Sequence, residues 1–411
     1  MECNFAYGAD HPANYGIDYK FLNMISEDTL NNYLSRAMID SCFDYLDDMD
    51  FVYDNLRMIL NTGTKYVARA YTTWLPDAKQ IETYPVIKQC IDEVHEKDPD
   101  VIFEGCIFET AWHGMDTINI PEWVFEAFDM PAENRSFNYQ EMIFQDGTMK
   151  DEFGPGISCP DVRRLETKLY MYFRAKMLID IGFEALHMGQ TWRIGMYDEG
   201  YREYEDLLTR IRMYAHQKAR RNLVLMNGHN PIKPLMTDDK KHLLDFVCSP
   251  ACLFDEQNGK QHLPSELNPQ KAYIKKGFGP YGVPYPGISV NGEYTETMPY
   301  LVEFDNWMQA PGDLMAQISN ATDKICVPWG YDEISWYVNQ PEWYRIKFLR
   351  YMFETVQSFD KNGHFEMPGL RTGFHISTGQ VQPHCASATT GKFNWGEEPM
   401  IRQIWIDNKS E

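Results

Sequence analysis

Apolar runs of strand length alternate along the chain with longer segments in which apolar residues recur at helical spacing. In the segment 162–181, for example, Leu165, Leu169, Phe173 and Met177 are each four residues apart, as on one face of a helix. Eight apolar runs predict β-strands: 4–8, 65–74, 101–112, 183–190, 222–227, 246–254, 300–305 and 324–329. The pattern therefore predicts eight strands that alternate with helices.

Eight alternating strands and helices favour an α/β fold, a (β/α)₈ TIM barrel formed as a single domain over residues 1–411. The rival is a doubly wound open sheet, which usually has a Gly-rich phosphate turn after its first strand. Neither GxGxxG nor GxxxxGK[ST] occurs in the chain. The segments 113–160 and 255–298 predict long βα-loop insertions, and 360–411 predicts a C-terminal extension.

Between the first two predicted strands, residues 27–61 predict one or two helices that begin after Ser26. Glu27 and Asp28 follow this serine, and acidic residues in a first turn interact favourably with the helix dipole. The aspartates of 44–54 are interpreted as a solvated helix face.

The net charge of −22 argues against a nucleic-acid partner, because binding to phosphates requires a basic surface. The same charge disfavours an anionic membrane surface. No apolar run approaches the ~20 residues of a membrane-spanning helix, so none is expected. Apolar residues make up 44% of the chain and charged residues 24%, which is typical of a globular protein.

The nine cysteines are scattered, without a CxxC pair or the spacing of a zinc site. The chain opens MECNFAYGADHP, which lacks the charged and apolar regions of a signal peptide. Both observations predict a reduced, cytoplasmic protein. A protein whose signal peptide had been removed would show the same pattern.

The stretch YLVEFDNW at 300–307 is the strongest candidate for chemistry. In a strand, the period of two places Glu303 and Asp305 on one face at the C-terminal end. Two adjacent acids repel each other and are costly to bury, so a purely structural strand has little use for them. Trp307 follows directly, and an aromatic face beside carboxylates suits a polar, ring-shaped substrate such as a sugar. The alternative is a strand that ends in a solvated acidic loop.

In a barrel, catalytic residues lie at the C-terminal ends of the strands. Glu109 lies near the C-terminal end of the third predicted strand, and strands 3 and 7 lie opposite each other in a ring of eight. Glu109 and Glu303 are therefore predicted to flank a substrate from two sides. The residues predicted to bind the substrate are His187, Gln190, Trp192, Asn227, His229, Trp112, Trp307 and Asp332. For each tryptophan and for His187, core packing is the competing interpretation.

Taken together, these strand ends resemble the TIM-barrel glycoside hydrolases over most of the chain. The resemblance implies an enzyme of carbohydrate metabolism that acts on an oligosaccharide or glycoside without metal or cofactor. One carboxyl group would protonate the leaving oxygen, and another would attack the anomeric carbon or activate water. Glu303, Glu109 and Asp305 are the predicted catalytic residues. The largest clan of these enzymes has an Asn-Glu pair after strand 4, where this chain reads HMGQTW.

Two other functions fit the same residues. A metal-dependent barrel enzyme, either a sugar isomerase or epimerase or a hydrolase, could use Glu109, His187, His229 and Asp305 as ligands from four strands. A non-catalytic sugar-binding barrel is the third hypothesis, since a fold alone does not fix a function. The sequence predicts no oligomeric state.

Overall fold

The structure is a computed structural model that describes residues 16–229, 234–255, 271–277, 285–305 and 333–408. The strands that build the main sheets are β1 Ala37–Asp40, β2 Tyr66–Tyr71, β3 Ile102–Cys106, β4 Ala185–His187, β5 Leu225–Asn227, β6 Val247–Pro250, β7 Tyr300–Glu303, β8 Gly363–Phe365, β9 Met367–His375 and β10 Gln380–Cys385. The longer helices are α1 Glu27–Leu34, α2 Met49–Thr62, α3 Tyr84–Lys97, α4 Leu165–Asp180, α5 Arg202–Lys218, α6 Glu333–Val338, α7 Glu342–Phe359 and α8 Glu398–Asp407.

Shorter elements lie in the connections between these strands and helices. The short helices are Ala78–Ile81, Glu122–Glu126, Tyr139–Met142 and Thr191–Ile194, and the 3₁₀ turns are Cys42–Asp44, His113–Thr117 and Glu199–Tyr201. Three antiparallel pairs of two-residue strands join Ala111–Trp112 to Ile157–Ser158, Phe254–Asp255 to Ala272–Tyr273, and Gly287–Ile288 to Tyr294–Thr295. No helix in the described ranges is long and apolar enough to cross a bilayer.

The main strands form one sheet in the order β10-β9-β1-β2-β3-β4-β5 and a second in the order β8-β7-β6. All neighbours are parallel except β9 and β10. The two sheets meet at both ends. A parallel bridge joins His229 after β5 to Cys248 of β6, and the N–H of Cys248 donates to the carbonyl of Gly228 at 3.1 Å. At the other end only Glu366 separates β8 from β9.

Alternate residues of the strands belong to two separate buried clusters. The inner cluster contains Ala37, Ile39, Tyr66, Ala68, Ile102, Ala185, Leu225, Cys248 and Leu301. The outer cluster contains their neighbours Met38, Val67, Phe103, Leu186, Met226 and Val302, together with apolar residues of the surrounding helices. Because successive strand residues point to opposite faces, this division assigns one face of each strand from β1 to β7 to the inner cluster.

Helix α1 packs on the inner cluster rather than on the outer one. Leu30, Tyr33 and Leu34 of α1 belong to the inner cluster, beside Ala37 at the start of β1. The predicted start of this helix is confirmed, because the side chain of Ser26 accepts a hydrogen bond from the N–H of Thr29 at 3.1 Å. The helix therefore covers the interior at the N-terminal ends of the strands.

Six of the eight predicted strand positions are confirmed, since β2 to β7 lie within them. The predicted strands 4–8 and 324–329 lie outside the described residues. The prediction that 27–61 is entirely helical is wrong, because it contains β1. Ala37 and Met38 continue the helical spacing of Leu30, Tyr33 and Leu34, and β1 is buried on both faces, so no alternation marks it as a strand.

The segment 360–411, predicted as a C-terminal extension, contributes strands to both main sheets. Strands β8 and β9 pair with β7 and β1, so this segment lies between two other strands of the sheets. The sequence GHFEMPGLRTGFH conceals it because Glu366, Pro368 and two glycines interrupt the apolar pattern.

A buried ion pair fixes the start of β2 against the end of α3. Lys65 Nζ lies 2.6 Å from Asp98 Oδ2, and the two side chains are 4% and 6% exposed. We expect Asp98→Asn to lower the free energy of unfolding by about 3–5 kcal/mol, because Lys65 would be left buried and unpaired. Asp92→Asn is the matched control, since the pair of Lys88 and Asp92 is about half exposed and should contribute under about 1 kcal/mol. Urea unfolding measures both, and equal losses would contradict the prediction.

Candidate active site

The inner faces of the strands change from apolar to polar at their C-terminal ends. Glu104, His187, Asn227 and Glu303 each stand two residues after an apolar member of the inner cluster, so they face the same interior. Glu366, between β8 and β9, completes the set. These five residues, called the polar layer below, are 0–2% exposed. Five polar side chains in one enclosed layer require internal partners, because water does not reach them.

Arg69 supplies a positive charge to the polar layer through an irregularity in β2. Its φ is 49°, and the register between β2 and β3 shifts between Val67 and Tyr71. The N–H of Arg69 donates to Glu104 Oε2 at 2.9 Å instead of pairing along the strand. A bulge of this kind redirects a side chain, and here the guanidinium donates to Glu303 Oε1. A positive φ is unusual for a non-glycine residue and indicates that this position serves a purpose other than regular pairing.

Glu303, His229 and Asp305 converge around the Arg69 guanidinium. His229 Nε2 lies 2.9 Å from Glu303 Oε1, 2.8 Å from Arg69 Nη2 and 3.6 Å from Asp305 Oδ2. Asp305 Oδ1 lies 3.5 Å from Arg69 Nη1 and accepts from Arg371 Nη2 at 3.1 Å. The structure thus brings Glu303 and Asp305 into one cluster. Asp305 is 8% exposed and Glu303 0%, so Asp305 lies on the more open side.

A second chain of hydrogen bonds crosses the polar layer from β4 to β2. His187 Nδ1 lies 2.7 Å from Asn227 Oδ1, and Asn227 Nδ2 donates to Glu104 Oε1. Tyr66 Oη also donates to Glu104 Oε1, at 2.5 Å. Burial holds the pKa of His187 well below its ordinary value, so the ring is neutral. With Nδ1–H donating to Asn227, the Nε2 of His187 is left as an acceptor.

Four carboxyl groups and two guanidinium groups share this region. Burial raises the pKa of Glu366 well above its ordinary value, and the charge of Glu303 raises it further. Burial also raises the pKa of Glu104, although the hydrogen bonds from Tyr66 and Asn227 oppose the shift. The shift favours the protonated form of Glu366, beside a Glu303 that forms an ion pair with Arg69. Neighbouring carboxyl groups with unequal protonation are typical of acid–base sites.

Glu109 does not join this cluster through any hydrogen bond of the described residues. Its Oε2 accepts from the N–H of Gln190 and its Oε1 from the side-chain amide of Gln190, both at 2.9 Å. Glu109 is 3% exposed, and both of its oxygens hold the loop that follows β4. The predicted pairing of Glu109 with Glu303 across a substrate therefore has no support in these contacts.

The predicted tryptophans have separate surroundings. Trp112 Nε1 donates to the carbonyl of Pro76 at 2.8 Å, which ties together two loops. The guanidinium of Arg193 lies 5.0 Å from the ring centre of Trp192. Trp307 and Asp332 lie outside the described residues. Neither described tryptophan contacts the polar layer through these interactions.

Sequence reasoning missed Arg69, Glu104, Glu366 and Arg371 as members of the site. Glu104 had a usable signal, because it stands two residues after Ile102 and shares its face. No signal in the sequence marks Arg69, since the bulge in β2 breaks the alternation from which the direction of its side chain could be predicted. Glu366 and Arg371 were missed because their strand was not predicted.

No family model matches this chain, and no curated protein matches it. Among solved structures, one similar chain is a debranching enzyme from Nostoc punctiforme, with 11% sequence identity and a TM-score of 0.29. The similarity covers 49% of this chain and 41% of that chain, so this chain corresponds to under half of that enzyme's length. A likeness this weak supports no statement about fold or activity.

Proposed function

We propose that β1 to β9 close into a (β/α)₈ TIM barrel, with β8 and β9 together forming the eighth strand. The order of parallel neighbours supports this closure, because each strand from β1 to the eighth has a parallel partner on both sides. The inner cluster supports it as well, since seven of the strands contribute to one shared interior. The polar layer then lies at the C-terminal ends, where TIM barrels carry their active sites.

We propose further that the protein is a glycoside hydrolase that acts on an oligosaccharide or glycoside. The observation that carries this proposal is the cluster in which Glu303 and Asp305 form ion pairs with Arg69 and Arg371. Glu366 belongs to the same cluster, and burial together with the charge of Glu303 raises its pKa. Hydrolysis of a glycosidic bond needs a charged carboxylate to attack the anomeric carbon or to activate water. Glu303 and Asp305 take this role, with Asp305 on the side open to a substrate. Arg69 and Arg371 hold the two carboxylates in place.

His229, on the open side of the cluster, orients the substrate in this proposal. Its ring is partly exposed and contacts both Glu303 and Asp305. The neutral His187 and Asn227 lie beneath it, with the two histidine rings edge to face at 4.9 Å between centres. Hydroxyl groups of a sugar are donors and acceptors at once, so they suit such neutral partners.

The second candidate function is that of a metal-dependent hydrolase, or of a sugar isomerase or epimerase. A different observation supports it. Ligand atoms of His229, Glu303 and Asp305 all lie within 4.8 Å of one another. One imidazole and two carboxylates suit Mn²⁺ or Zn²⁺. Arg69 Nη2, at 2.8 Å from His229 Nε2, occupies the space between these groups. A cation would therefore have to displace the guanidinium.

The first test removes the charge of each carboxylate in the cluster. We expect Glu303→Gln and Asp305→Asn each to lower kcat on aryl glycosides by about 10³-fold or more, within the range that positioned acids and bases contribute. Glu109→Gln is the control and should stay within about tenfold of the wild type, because Glu109 serves the loop after β4. Circular dichroism checks the fold of each variant. Full activity in both cluster variants would refute the proposed function.

The second test separates the two candidates. For the carboxylate mechanism, we expect EDTA to leave the rate of glycoside cleavage unchanged. For the metal candidate, Mn²⁺ or Zn²⁺ at 100 times its Kd should stabilise the protein by about 2.7 kcal/mol. His229→Gln should abolish that stabilisation because it removes the imidazole ligand. Thermal unfolding with and without each ion measures the effect, and an unchanged shift in His229→Gln would rule out this metal site.

A further inference from the structure

One carboxyl group joins the two halves of the polar layer. Glu104 is 1% exposed, and it bonds both to the bulge that carries Arg69 and to the hydrogen-bond chain that ends at His187. We infer that Glu104 is a positioning residue: through the side-chain amide of Asn227, it determines which ring nitrogen of His187 carries the proton. The catalytic consequence of this inference rests on the proposed function, whereas the position of the proton does not.

The two oxygens of Glu104 accept hydrogen bonds from three donors. Oε2 accepts from the backbone N–H of Arg69 at 2.9 Å, and Oε1 accepts from Tyr66 Oη at 2.5 Å. The side-chain nitrogen of Asn227 also donates to Oε1. Because a carboxylate oxygen needs a donor opposite it, the amide of Asn227 must turn its NH₂ group, and not its oxygen, toward Glu104.

The other side of the Asn227 amide is fixed as well. Its Oδ1 lies 2.7 Å from His187 Nδ1 and accepts from Cys248 Sγ at 3.2 Å. Asn227, Cys248 and His187 are 0–2% exposed. An exchange of the amide oxygen and nitrogen would place Oδ1 against Glu104, as two buried acceptors with no proton between them. Such a contact is costly where water cannot intervene, so the amide has one favourable orientation.

This orientation of the amide places the proton of the His187 ring. Burial keeps the pKa of His187 well below its ordinary value, so a single ring nitrogen carries a proton. Nδ1 faces the amide oxygen of Asn227 and must therefore be the donor. Nε2 is left as an acceptor, and it has no hydrogen-bond partner in the described part of the chain. Glu104 thus keeps an acceptor, rather than a donor, beside the ring of His229, whose centre lies 4.9 Å from that of His187.

Glu104 also acts on the proposed catalytic carboxylates through Arg69. Its Oε2 takes the backbone N–H of the position at which β2 shifts its register with β3. The guanidinium of Arg69 contacts Glu303, and its Nη2 lies 2.8 Å from His229 Nε2. Glu104→Gln would keep one acceptor oxygen and replace the other with an NH₂ group. The variant can therefore offer an oxygen to Arg69 or to Asn227, but it cannot offer one to each as the carboxylate does.

The first measurement locates the proton by ¹⁵N NMR of protein that is labelled at histidine. The signals lost in His187→Gln assign the ring, and the nitrogen shifts of a neutral imidazole distinguish Nδ1–H from Nε2–H. We expect Nδ1–H in the wild type. In Glu104→Gln the new NH₂ group faces Asn227, so the amide should turn over and the proton should move to Nε2. Glu184→Gln is the matched control, because Glu184 is also 1% exposed but pairs with Arg220 before β4, and the proton should stay on Nδ1.

The second measurement is the rate of glycoside cleavage. The kcat of Glu104→Gln should fall by about 10²-fold, because a small misplacement of the reacting groups is enough for such a loss. The kcat of Glu184→Gln should stay within about tenfold of the wild type. A purely structural role of Glu104 would lower the free energy of unfolding in both variants and would leave the proton of His187 on Nδ1 in both.

Several outcomes would overturn the inference. A proton on Nε2 in the wild type would do so at once, as would an unmoved proton in a folded Glu104→Gln or an unchanged kcat in a variant whose proton has moved. If Glu104→Gln does not fold, Asn227→Ala decides, because a His187 ring that is still protonated on Nδ1 alone would then owe nothing to the amide. Failure of the proposed function differs. The wild type would then cleave no glycoside, or Glu303→Gln and Asp305→Asn would keep full activity, while the NMR result would stand.

Discussion

The buried ion pair between Arg69 and Glu303 is the interaction on which the arrangement at the strand ends depends. Glu303 is 0% exposed, and a lone carboxylate at such a position would carry a large desolvation cost. Arg69 offsets that cost only because the bulge in β2 turns its side chain toward the interior. Removal of either partner should therefore cost about 3–5 kcal/mol, since the other charge would be left unpaired. The buried carboxylate of β7 therefore depends on the irregular backbone of β2, which places its partner Arg69.

The remaining polar groups adjust to this pair. Glu104 accepts the N–H that the bulge frees, so the backbone irregularity leaves no unsatisfied donor at Arg69. Glu366 lies beside the Glu303 carboxylate, and burial together with the charge of Glu303 raises its pKa well above the ordinary value. Asp305, further out, shares a second guanidinium, that of Arg371. Charge thus extends from Glu303, which is 0% exposed, to Asp305, which is 8% exposed.

The sequence predicted those parts of the site that follow from strict alternation within a strand. Glu303, His187 and Asn227 lie in the polar layer because a period of two carries each inner face to its C-terminal end. Glu109 lies three residues beyond the end of β3, where alternation no longer fixes a direction, and its oxygens accept hydrogen bonds from Gln190. Arg69 could not have been found, since a bulge depends on contacts with β3 that are distant in sequence.

The fold was predictable to a similar degree and for similar reasons. Apolar runs in the sequence predict strands β2 to β7. By contrast, β1 is only four residues long, and its apolar residues continue the helical spacing of α1. Because all four residues of β1 are buried, no alternation of apolar and polar positions separates this strand from the helix before it.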